Sequence, residues 1–493
     1  MAKKSRKINT LSRFLPAAPL PADESVARPG RRPDPEVVSS GTVENLSFEG
    51  GGAKGYAYIG AVQVLEEQGI YPLGVRRTAG TSVGSLFALL TALGCSSEYM
   101  IEKVPPDFQS LAKDGGGGRI GSLLRATRRR GMHPGDKLFA FLGEILFETT
   151  GSADCTFAQL EERCGRELCV PVTNVTRMMT EYCHVKTTPN MPVRVAVRMS
   201  MSLPVLLQPV NLASAVARAS DPWPEVYVDG GLLCNNPAHA YDGWWLSMDP
   251  EHSFLRRLSP LERASEHYPR ASRFHPPNPR TLGFTLFALE ENDITRTWVP
   301  DSLEPQSRPD TNAARRALQR EIDAAATRSL QEPVQRVLDV LDAVDIDRDG
   351  VIDMTEFRAA LDELAPNDLQ TVFGPGSLEE IFALLDTDGS GAIEFGELLT
   401  HVESVGLDVT TQLVGFPAKP PRSAIDFALN MLEAVNRDLA RTIQGVGDRD
   451  RTVPINTDYV GTTTFDLATE DLNFLVEAGR RHTRAILDAR GIC

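Results

Sequence analysis

The apolar and polar positions of residues 44–93 predict two strand–helix units in succession. The apolar runs Val43–Phe48 and Val75–Thr78 are each followed by a glycine-rich turn. A segment of helical periodicity comes next in each case, Tyr56–Gln68 and Val83–Leu93. Because strands that alternate with helices are typical of a parallel sheet, this pattern predicts an α/β fold.

Four later runs extend the predicted sheet: Cys169–Thr173, His184–Thr187, Glu225–Val228 and Thr281–Phe287. A last helix is predicted to begin at Thr469, where acidic residues in the first turn suit the helix dipole. No apolar run approaches the roughly 18 residues that a membrane-spanning helix needs.

Composition divides the 493 residues into regions. Residues 1–43 are basic and proline-rich without an apolar stretch, which predicts a disordered tail and excludes a standard secretory signal. Residues 295–415 are helical and acidic. Within them, 331–400 hold 17 acidic and three basic residues and so account for nearly all of the net charge of −15. We predict that this block is inserted into an α/β domain made of residues 44–294 and 416–493.

Cysteine usage and charge limit the location and the partners. Seven cysteines at irregular spacing are typical of reduced thiols, which favours a cytoplasmic protein. Because the acidity belongs to one block and the remainder is nearly neutral, a nucleic-acid partner is not expected.

The first glycine turn, Gly50–Gly55, lies between a predicted strand and a predicted helix and admits two interpretations. It satisfies G-x-G-x-x-G and is therefore compatible with dinucleotide binding. That function needs an acidic residue at the end of the second strand, and Arg76–Gly80 contains none. The sequence favours the other interpretation, in which backbone N–H groups of the turn stabilise an oxyanion.

The second glycine turn is Gly80-Thr81-Ser82-Val83-Gly84, the G-x-S-x-G pattern that holds a nucleophilic serine on a strained turn. A serine in this place can also serve only as a helix cap. The oxyanion turn one unit upstream favours the nucleophile.

A serine nucleophile needs a base, and Asp229 is the strongest candidate. It follows the run Glu225–Val228 and opens an Asp-Gly-Gly sequence, although Asp-Gly pairs are also common in simple turns. A triad remains open as an alternative, with His239 or His184 as the base and Asp229 orienting it.

Taken in order, these three motifs resemble those of the patatin-like phospholipase family. Residues 188–210 and 448–467 are similar to the family as well, so that the resemblance covers most of 44–290 and 416–490. It implies a three-layer α/β/α domain with a mostly parallel sheet. It also implies a lipid acyl hydrolase with a Ser-Asp dyad and neither a catalytic histidine nor a cofactor at the dyad.

Carried onto this sequence, the resemblance implies that Ser82 is the nucleophile and that Asp229 accepts its proton. Lys54 stands where many members of the family have arginine. The oxyanion hole is assigned to the first turn and to the residue after the nucleophile: Gly50, Gly51, Gly52, Lys54, Gly55 and Val83. The elbow and the aspartate motif need the small residues Gly80, Gly84, Gly230 and Gly231.

The acidic block contains two twelve-residue segments, 345–356 and 386–397, with the ligand spacing of an EF-hand calcium loop. A run of acidic residues is usually a solvated face, but here the oxygen ligands recur twice at the same spacing. The segments therefore predict an all-α EF-hand pair that binds two Ca²⁺ ions. The side-chain ligands are Asp345, Asp347, Asp349, Asp353 and Glu356 in the first loop, and Asp386, Asp388, Ser390, Glu394 and Glu397 in the second.

These features predict a calcium-binding lipid acyl hydrolase of the phospholipase A or lysophospholipase type, with calcium regulating it at the EF-hands. The alternatives are an acyltransferase or a triacylglycerol lipase on the same dyad, and a calcium-sensing scaffold whose hydrolase domain is inert. Phospholipid is the expected substrate, with peripheral membrane contact. An arginine cluster suits anionic headgroups but equally suits a solvated face: Arg125, Arg128, Arg129 and Arg130.

Overall fold

The computed structural model describes residues 43–105, 129–212, 224–247, 269–289, 294–300, 302–328, 351–404, 446–462 and 466–491, with isolated positions between these ranges. The predicted tail up to residue 42, Arg125 and Arg128, and residues 345–350 of the first calcium loop lie outside the described residues.

The chain divides into two compact units. The first comprises residues 1–289, 294–313 and 419–493, and the second comprises residues 290–293 and 314–418.

Eight strands form the main sheet of the first unit: β1 Asn45–Phe48, β2 Arg77–Gly80, β4 Glu167–Asn174, β5 Met179–Cys183, β7 Val210–Leu212, β8 Glu225–Asp229, β9 Thr281–Phe287 and β12 Thr452–Asn456. Their order across the sheet is β12–β9–β1–β2–β4–β8–β7, with β5 paired to β4. The strands from β12 to β4 in this order are parallel, whereas β5, β7 and β8 are antiparallel to their neighbours. The short strands β3 (Gly131–His133) and β6 (Val205–Leu207) pair separately. The predicted α/β class is confirmed.

One predicted strand is wrong. The strand that follows β4 is β5 (Met179–Cys183), and residues 184–187 form a turn instead. The N–H groups of Thr187 and Thr188 both donate to the His184 carbonyl oxygen, at 3.0 and 2.7 Å. These backbone bonds satisfy groups that a strand would have paired with a neighbour.

The register of the sheet brings two strand ends together. β2 pairs with Glu167–Cys169 of β4 in parallel, and β8 pairs with Val172–Asn174 of β4 in the antiparallel sense. Because the two strands run in opposite directions along β4, the end of β2 and the end of β8 approach each other.

The helices of the first unit flank this sheet. Helices α1 (Ala57–Glu67) and α2 (Val83–Leu93) follow the two glycine turns, and most of their residues are buried. The others are α3 Ser97–Lys103, α4 Asp136–Thr150, α5 Phe157–Cys164, α6 Val193–Ser200, α7 Arg270–Arg273 and the last helix of the chain, α13 Thr469–Arg490. Helix α8 (Asn312–Arg328) belongs to the second unit from residue 314 onward.

Helix α1 and the last helix approach each other closely through two glycines. A Cβ atom at Gly60 would lie 1.8 Å from the Val476 carbonyl oxygen, and one at Gly479 would lie 1.9 Å from that of Ala57. The absence of side chains at both positions allows the two backbones to pack directly. The C-terminal segment thereby covers the helix that follows the first glycine turn.

The second unit has its own core. Its helices are α9 (Met354–Glu363), α10 (Pro366–Phe373), α11 (Leu378–Leu385) and α12 (Phe395–Ser404). Strands β10 (Val351–Asp353) and β11 (Ala392–Glu394) pair antiparallel. Buried apolar residues from all four helices pack together, among them Phe357, Phe373, Phe382 and Leu398.

Candidate active site and calcium loops

The turn after β2 holds Ser82 in a strained conformation. Ser82 has φ 51° and ψ −129°, a combination that residues with a side chain rarely adopt. The flanking glycines make the turn possible. A Cβ atom at Gly80 would lie 2.1 Å from the Gly84 carbonyl oxygen, and one at Gly84 would lie 2.3 Å from that of Phe48. The strand–turn–helix context predicted for G-x-S-x-G is therefore present.

Ser82 and Asp229 are in direct contact. Ser82 Oγ donates a hydrogen bond to Asp229 Oδ2 at 2.8 Å, and Asp229 Oδ1 accepts one from the Gly231 N–H at 2.8 Å. The turn that follows Asp229 needs a glycine, because a Cβ atom at Gly230 would lie 2.2 Å from the Pro171 carbonyl oxygen. The two residues predicted to act together thus meet at the facing ends of β2 and β8.

The environment of Asp229 suits a group that exchanges protons near neutral pH. Its residue exposure is only 3%. Burial raises the pKa of Asp229 to about 7, while the hydrogen bonds from Gly231 and Ser82 lower it. A carboxylate with this pKa can take a proton from a hydroxyl and return it at physiological pH.

The first glycine turn lies beside the serine. A Cβ atom at Gly50 would lie 3.0 Å from Ser82 Cβ, and one at Gly55 would lie 2.8 Å from Val83 Cγ2. The N–H groups of Gly51, Gly52 and Val83 donate to no acceptor within the part of the chain that the structure describes. These three N–H groups are therefore available as donors, on the turn that touches Ser82 and on the residue that follows it.

Two other predicted members of the oxyanion hole have different partners. The Gly50 N–H donates to the Asn235 carbonyl oxygen at 3.1 Å, and the Lys54 N–H donates to that of Gly51 at 3.2 Å. The Lys54 side chain is buried, and its Nζ donates to the Leu286 carbonyl oxygen at 3.0 Å. Gly50 thus attaches the turn to Asn235, in the loop after β8, and Lys54 attaches it to β9.

Asn235 fastens the first turn to the loop that follows Asp229. Its Nδ2 donates to the Gly50 carbonyl oxygen at 3.0 Å and to Glu49 Oε1 at 3.1 Å. Glu49 Oε2 in turn accepts from the Leu286 N–H at 3.0 Å. The sequence analysis missed this residue. Its only sequence mark is the Asn-Asn-Pro run shortly after the aspartate motif.

Ser200, at the end of α6, is a second residue that the sequence analysis missed. Its buried Oγ accepts a hydrogen bond from the Ser82 N–H at 3.0 Å and donates one to the Pro171 carbonyl oxygen at 2.7 Å. It lies within residues 188–210. The sequence analysis found this segment similar to the family but assigned no role to any residue in it.

Both histidines considered for a triad have other partners. His239 Nε2 hydrogen-bonds the Tyr182 hydroxyl at 2.8 Å, and its ring packs edge-on against Phe274. His184 Nε2 pairs with Glu167 Oε2 at 3.0 Å. Burial lowers the pKa of His239 well below its usual value and also lowers that of His184. Among the described contacts, neither ring reaches Ser82 or Asp229.

The second calcium loop is described in full. One carboxylate oxygen each from Asp386, Asp388 and Glu397 lies within 4.8 Å of the others. Glycine is required at the sharp turn, since Gly391 has φ +85°. Oxygen ligands gathered in this way suit Ca²⁺, which is bound at about 2.3–2.6 Å by six to eight oxygens. Ser390 Oγ lies in the same loop and donates to the Ala392 carbonyl oxygen at 3.0 Å.

The described half of the first calcium loop matches the second. Ile352 pairs with Ile393 between β10 and β11, as their equivalent loop positions predict. Asp353 Oδ1 accepts from the N–H groups of Thr355 and Glu356, at 2.6 and 2.8 Å, and so caps α9. The predicted ligands Asp345, Asp347 and Asp349 lie outside the described residues.

Helix α10 fills the core between the two calcium loops. Val372 and Phe373 are buried, and the Phe373 ring stacks on His401 of α12 with centroids 5.6 Å apart. His401 Nε2 also lies 3.1 Å from the Val372 carbonyl oxygen. The linker between the two loops is thus part of the apolar core of this unit.

Among the described helices, none is both long enough and apolar enough to cross a bilayer.

Comparison with known proteins finds a family match for the α/β region and another for the acidic region. The family model described as patatin-like phospholipase matches residues 46–242, and that of the EF hand matches 338–361 and 378–402. The uncharacterized protein YqhO of Bacillus subtilis is 30% identical over 226 residues, which cover 44% of this chain and 71% of YqhO.

Two further proteins are similar to this chain. The uncharacterized protein R571 of Acanthamoeba polyphaga mimivirus is 30% identical over 213 residues, which cover 42% of this chain but only 64% of R571. The chain thus spans slightly less than two thirds of that relative. The crystal structure of VipD from Legionella pneumophila aligns with 91% of this chain and 67% of its own, at 15% identity and a TM-score of 0.39. From the family match and the YqhO similarity, the chain belongs to the patatin-like phospholipase family, and it carries two EF-hand motifs.

Proposed function

We propose that this protein is a lipid acyl hydrolase that cleaves the acyl esters of phospholipids through a Ser82–Asp229 dyad. The observation that supports this most strongly is the 2.8 Å hydrogen bond from the strained Ser82 to the buried Asp229. The N–H groups of Gly51, Gly52 and Val83 support it further, because an acyl transfer also needs donors for the oxyanion.

In the proposed reaction, Ser82 Oγ attacks the ester carbonyl carbon while its proton passes to Asp229 Oδ2. The carbonyl oxygen becomes an oxyanion, which the N–H groups of Gly51, Gly52 and Val83 stabilise. Collapse of this intermediate releases the alcohol, here a lysophospholipid, which takes the proton back from Asp229. Water then attacks the acyl-serine with Asp229 again as the proton acceptor. When this second oxyanion collapses, the bond between Ser82 Oγ and the acyl carbon breaks, Asp229 returns the proton to Ser82 Oγ, and the fatty acid leaves.

The nucleophile can be tested with a fluorophosphonate probe and with phospholipid vesicles of defined acyl composition. We expect the wild type to be labelled and to release fatty acid, and Ser82→Ala to lose both. Ser247→Ala is the matched control and should keep both, because Ser247 is a buried serine whose Oγ donates to the Tyr241 carbonyl oxygen rather than to the elbow. Unlabelled, inactive wild type would contradict the proposal and favour a scaffold. Transfer of the acyl group to an added alcohol in place of water would favour an acyltransferase.

We further propose that Ca²⁺ binds the two EF-hand loops and regulates hydrolysis. In the second loop, Asp386, Asp388, Ser390 and Glu397 would hold the ion with the Ala392 carbonyl oxygen, and Glu394 would act through water. In the first loop, Asp353 and Glu356 would act with the Val351 carbonyl oxygen and with the predicted ligands Asp345, Asp347 and Asp349. The ion supplies charge that orders each loop, and it takes no part at the dyad.

Regulation can be tested by comparing rates on the same vesicles in excess calcium and in excess chelator. We expect different rates in the two conditions. Rates on a short-chain soluble ester, measured in parallel, separate an effect on membrane access from one on the dyad. Equal rates on both substrates would contradict regulation and leave calcium a stabilising role.

A further inference from the structure

We propose that Ser200 is a positioning residue that fixes Ser82 relative to Asp229. The inference rests on the proposed hydrolase function. It concerns a side chain that touches neither the expected substrate nor the reacting atoms, but bonds the backbone of the nucleophile.

The hydrogen bonds of Ser200 define its direction of action. Its hydroxyl proton is donated to the Pro171 carbonyl oxygen at 2.7 Å, so a lone pair of Oγ is left to accept the Ser82 N–H at 3.0 Å. Ser200 is fully buried, so bulk solvent does not reach either bond. The hydroxyl therefore connects the nucleophile elbow to β4 in one fixed arrangement.

Ser82 needs such a partner. A residue with a side chain at φ 51° and ψ −129° is strained, and such strain persists only where the surroundings over-determine the backbone. The Gly80 and Gly84 contacts fix the two ends of the elbow. The bond to Ser200 fixes the peptide in its centre, and it leaves the next N–H, that of Val83, as the elbow's oxyanion donor.

The same short segment, residues 200–202, also holds Asp229. Two residues beyond Ser200, the Ser202 carbonyl oxygen accepts the Asp229 N–H at 3.0 Å. The backbone N–H groups of Ser82 and of Asp229 thus both donate to acceptors within residues 200–202. One short rigid segment sets the separation of the two side chains, although β2 and β8 are distant in sequence.

The experiment compares Ser200→Ala with Ser200→Thr, which retains the hydroxyl, and with Ser247→Ala as the control. Ser247 is also a buried serine that donates to a backbone carbonyl oxygen, that of Tyr241 at 3.0 Å, and none of its described hydrogen bonds is to the elbow. Ser200→Cys is measured alongside, because its thiol fills the site but forms weaker hydrogen bonds than the hydroxyl. It therefore tests the inference even if the alanine variant fails to fold. Each variant is assayed on a soluble ester over pH 5–9.

For Ser200→Ala and Ser200→Cys we expect kcat to fall about 10- to 100-fold with KM within about twofold, because a small misplacement of the nucleophile slows the reaction without weakening binding. The acid limb of the pH profile should also move to higher pH, since a loosened Ser82 bond no longer lowers the Asp229 pKa. Ser200→Thr should keep both kcat and the acid limb close to those of the wild type, and Ser247→Ala should change neither.

The inference would be overturned if Ser200→Ala kept kcat within about twofold of the wild type and left the acid limb in place. If the alanine variant does not fold, the same result in Ser200→Cys would overturn it. The wild type and Ser82→Ala are run first in the same assay. An inactive wild type, or an active Ser82→Ala, would instead contradict the proposed function, so the two failures are distinguishable.

Discussion

Ser82 Oγ donates to Asp229 Oδ2 at 2.8 Å across 147 residues of sequence, and the acceptor is almost completely buried. Because burial raises the pKa of Asp229 to about 7, the ionised base is lost as the pH falls through neutrality. We predict that kcat/KM on a soluble ester rises with pH along a single limb near pH 7. A profile that is flat from pH 5 to pH 8 would contradict this role of Asp229.

The same shift predicts a cost in stability. The pKa of Asp229 is raised from 3.8 in the unfolded chain to about 7 in the folded one, so the folded state binds more protons between these values. The contribution of Asp229 to the free energy of unfolding therefore falls as the pH rises from about 4 to about 7. We predict that Asp229→Asn removes this loss, so that its Tm relative to the wild type increases over this range and levels off above it. Thermal unfolding at several pH values measures the gap, and a constant gap would contradict the prediction.

Asn235 provides a second prediction at the first glycine turn. Its Nδ2 holds the Gly50 carbonyl oxygen and Glu49, so Asn235→Ala should release the turn that presents the Gly51 and Gly52 N–H groups. We expect kcat to fall about 10²-fold with little change in KM. The neighbouring Asn236 is the matched control, because its side chain accepts only the Ala238 N–H at 3.2 Å. Equal effects of the two alanine substitutions would contradict a specific role for Asn235.

His239 tests the dyad against a triad. Its ring bonds Tyr182 and packs on Phe274, and none of its described contacts is with the dyad. Burial also lowers its pKa well below the usual value, which leaves the imidazole neutral. We predict that His239→Gln keeps kcat within about fivefold of the wild type, whereas loss of an essential base costs orders of magnitude. Thermal unfolding of the variant identifies any loss that is due to misfolding. A folded His239→Gln protein with almost no activity would favour the triad.

The second calcium loop depends on Glu397. Its Oε1 accepts from the Thr387 N–H and hydroxyl, both at 2.7 Å, and these bonds hold the side chain across the loop. We predict that Glu397→Gln reduces the calcium stoichiometry measured by calorimetry from two to one, because the loop loses its bidentate carboxylate. Glu363→Gln, an exposed change on α9, should leave two sites. Two unchanged sites in Glu397→Gln would contradict the assignment.

Much of the local structure could be predicted from short stretches of sequence. Helix α2 and the elbow before it follow from glycines flanking Ser82, because the tight turn depends on residues only two positions away. The pairing of Ile352 with Ile393 follows from the repeat of the calcium loop. The strand predicted at His184–Thr187 failed because short polar runs bond their own backbone as readily as a neighbouring strand.

The sequence by itself determined which side chains are available for chemistry: a serine between glycines, an aspartate before two glycines, and two sets of oxygen ligands at fixed spacing. Only the tertiary structure decided which of them meet. The antiparallel pairing of β8 with β4 brings Asp229 to Ser82, and burial then adjusts its pKa. The tertiary structure also places Ser200 and Asn235 against the backbone of the site, and it directs the His239 ring to Tyr182 rather than to the dyad. The reason is physical: a turn is specified by its own residues, whereas a contact across 147 residues depends on strand register and packing, which no single segment contains.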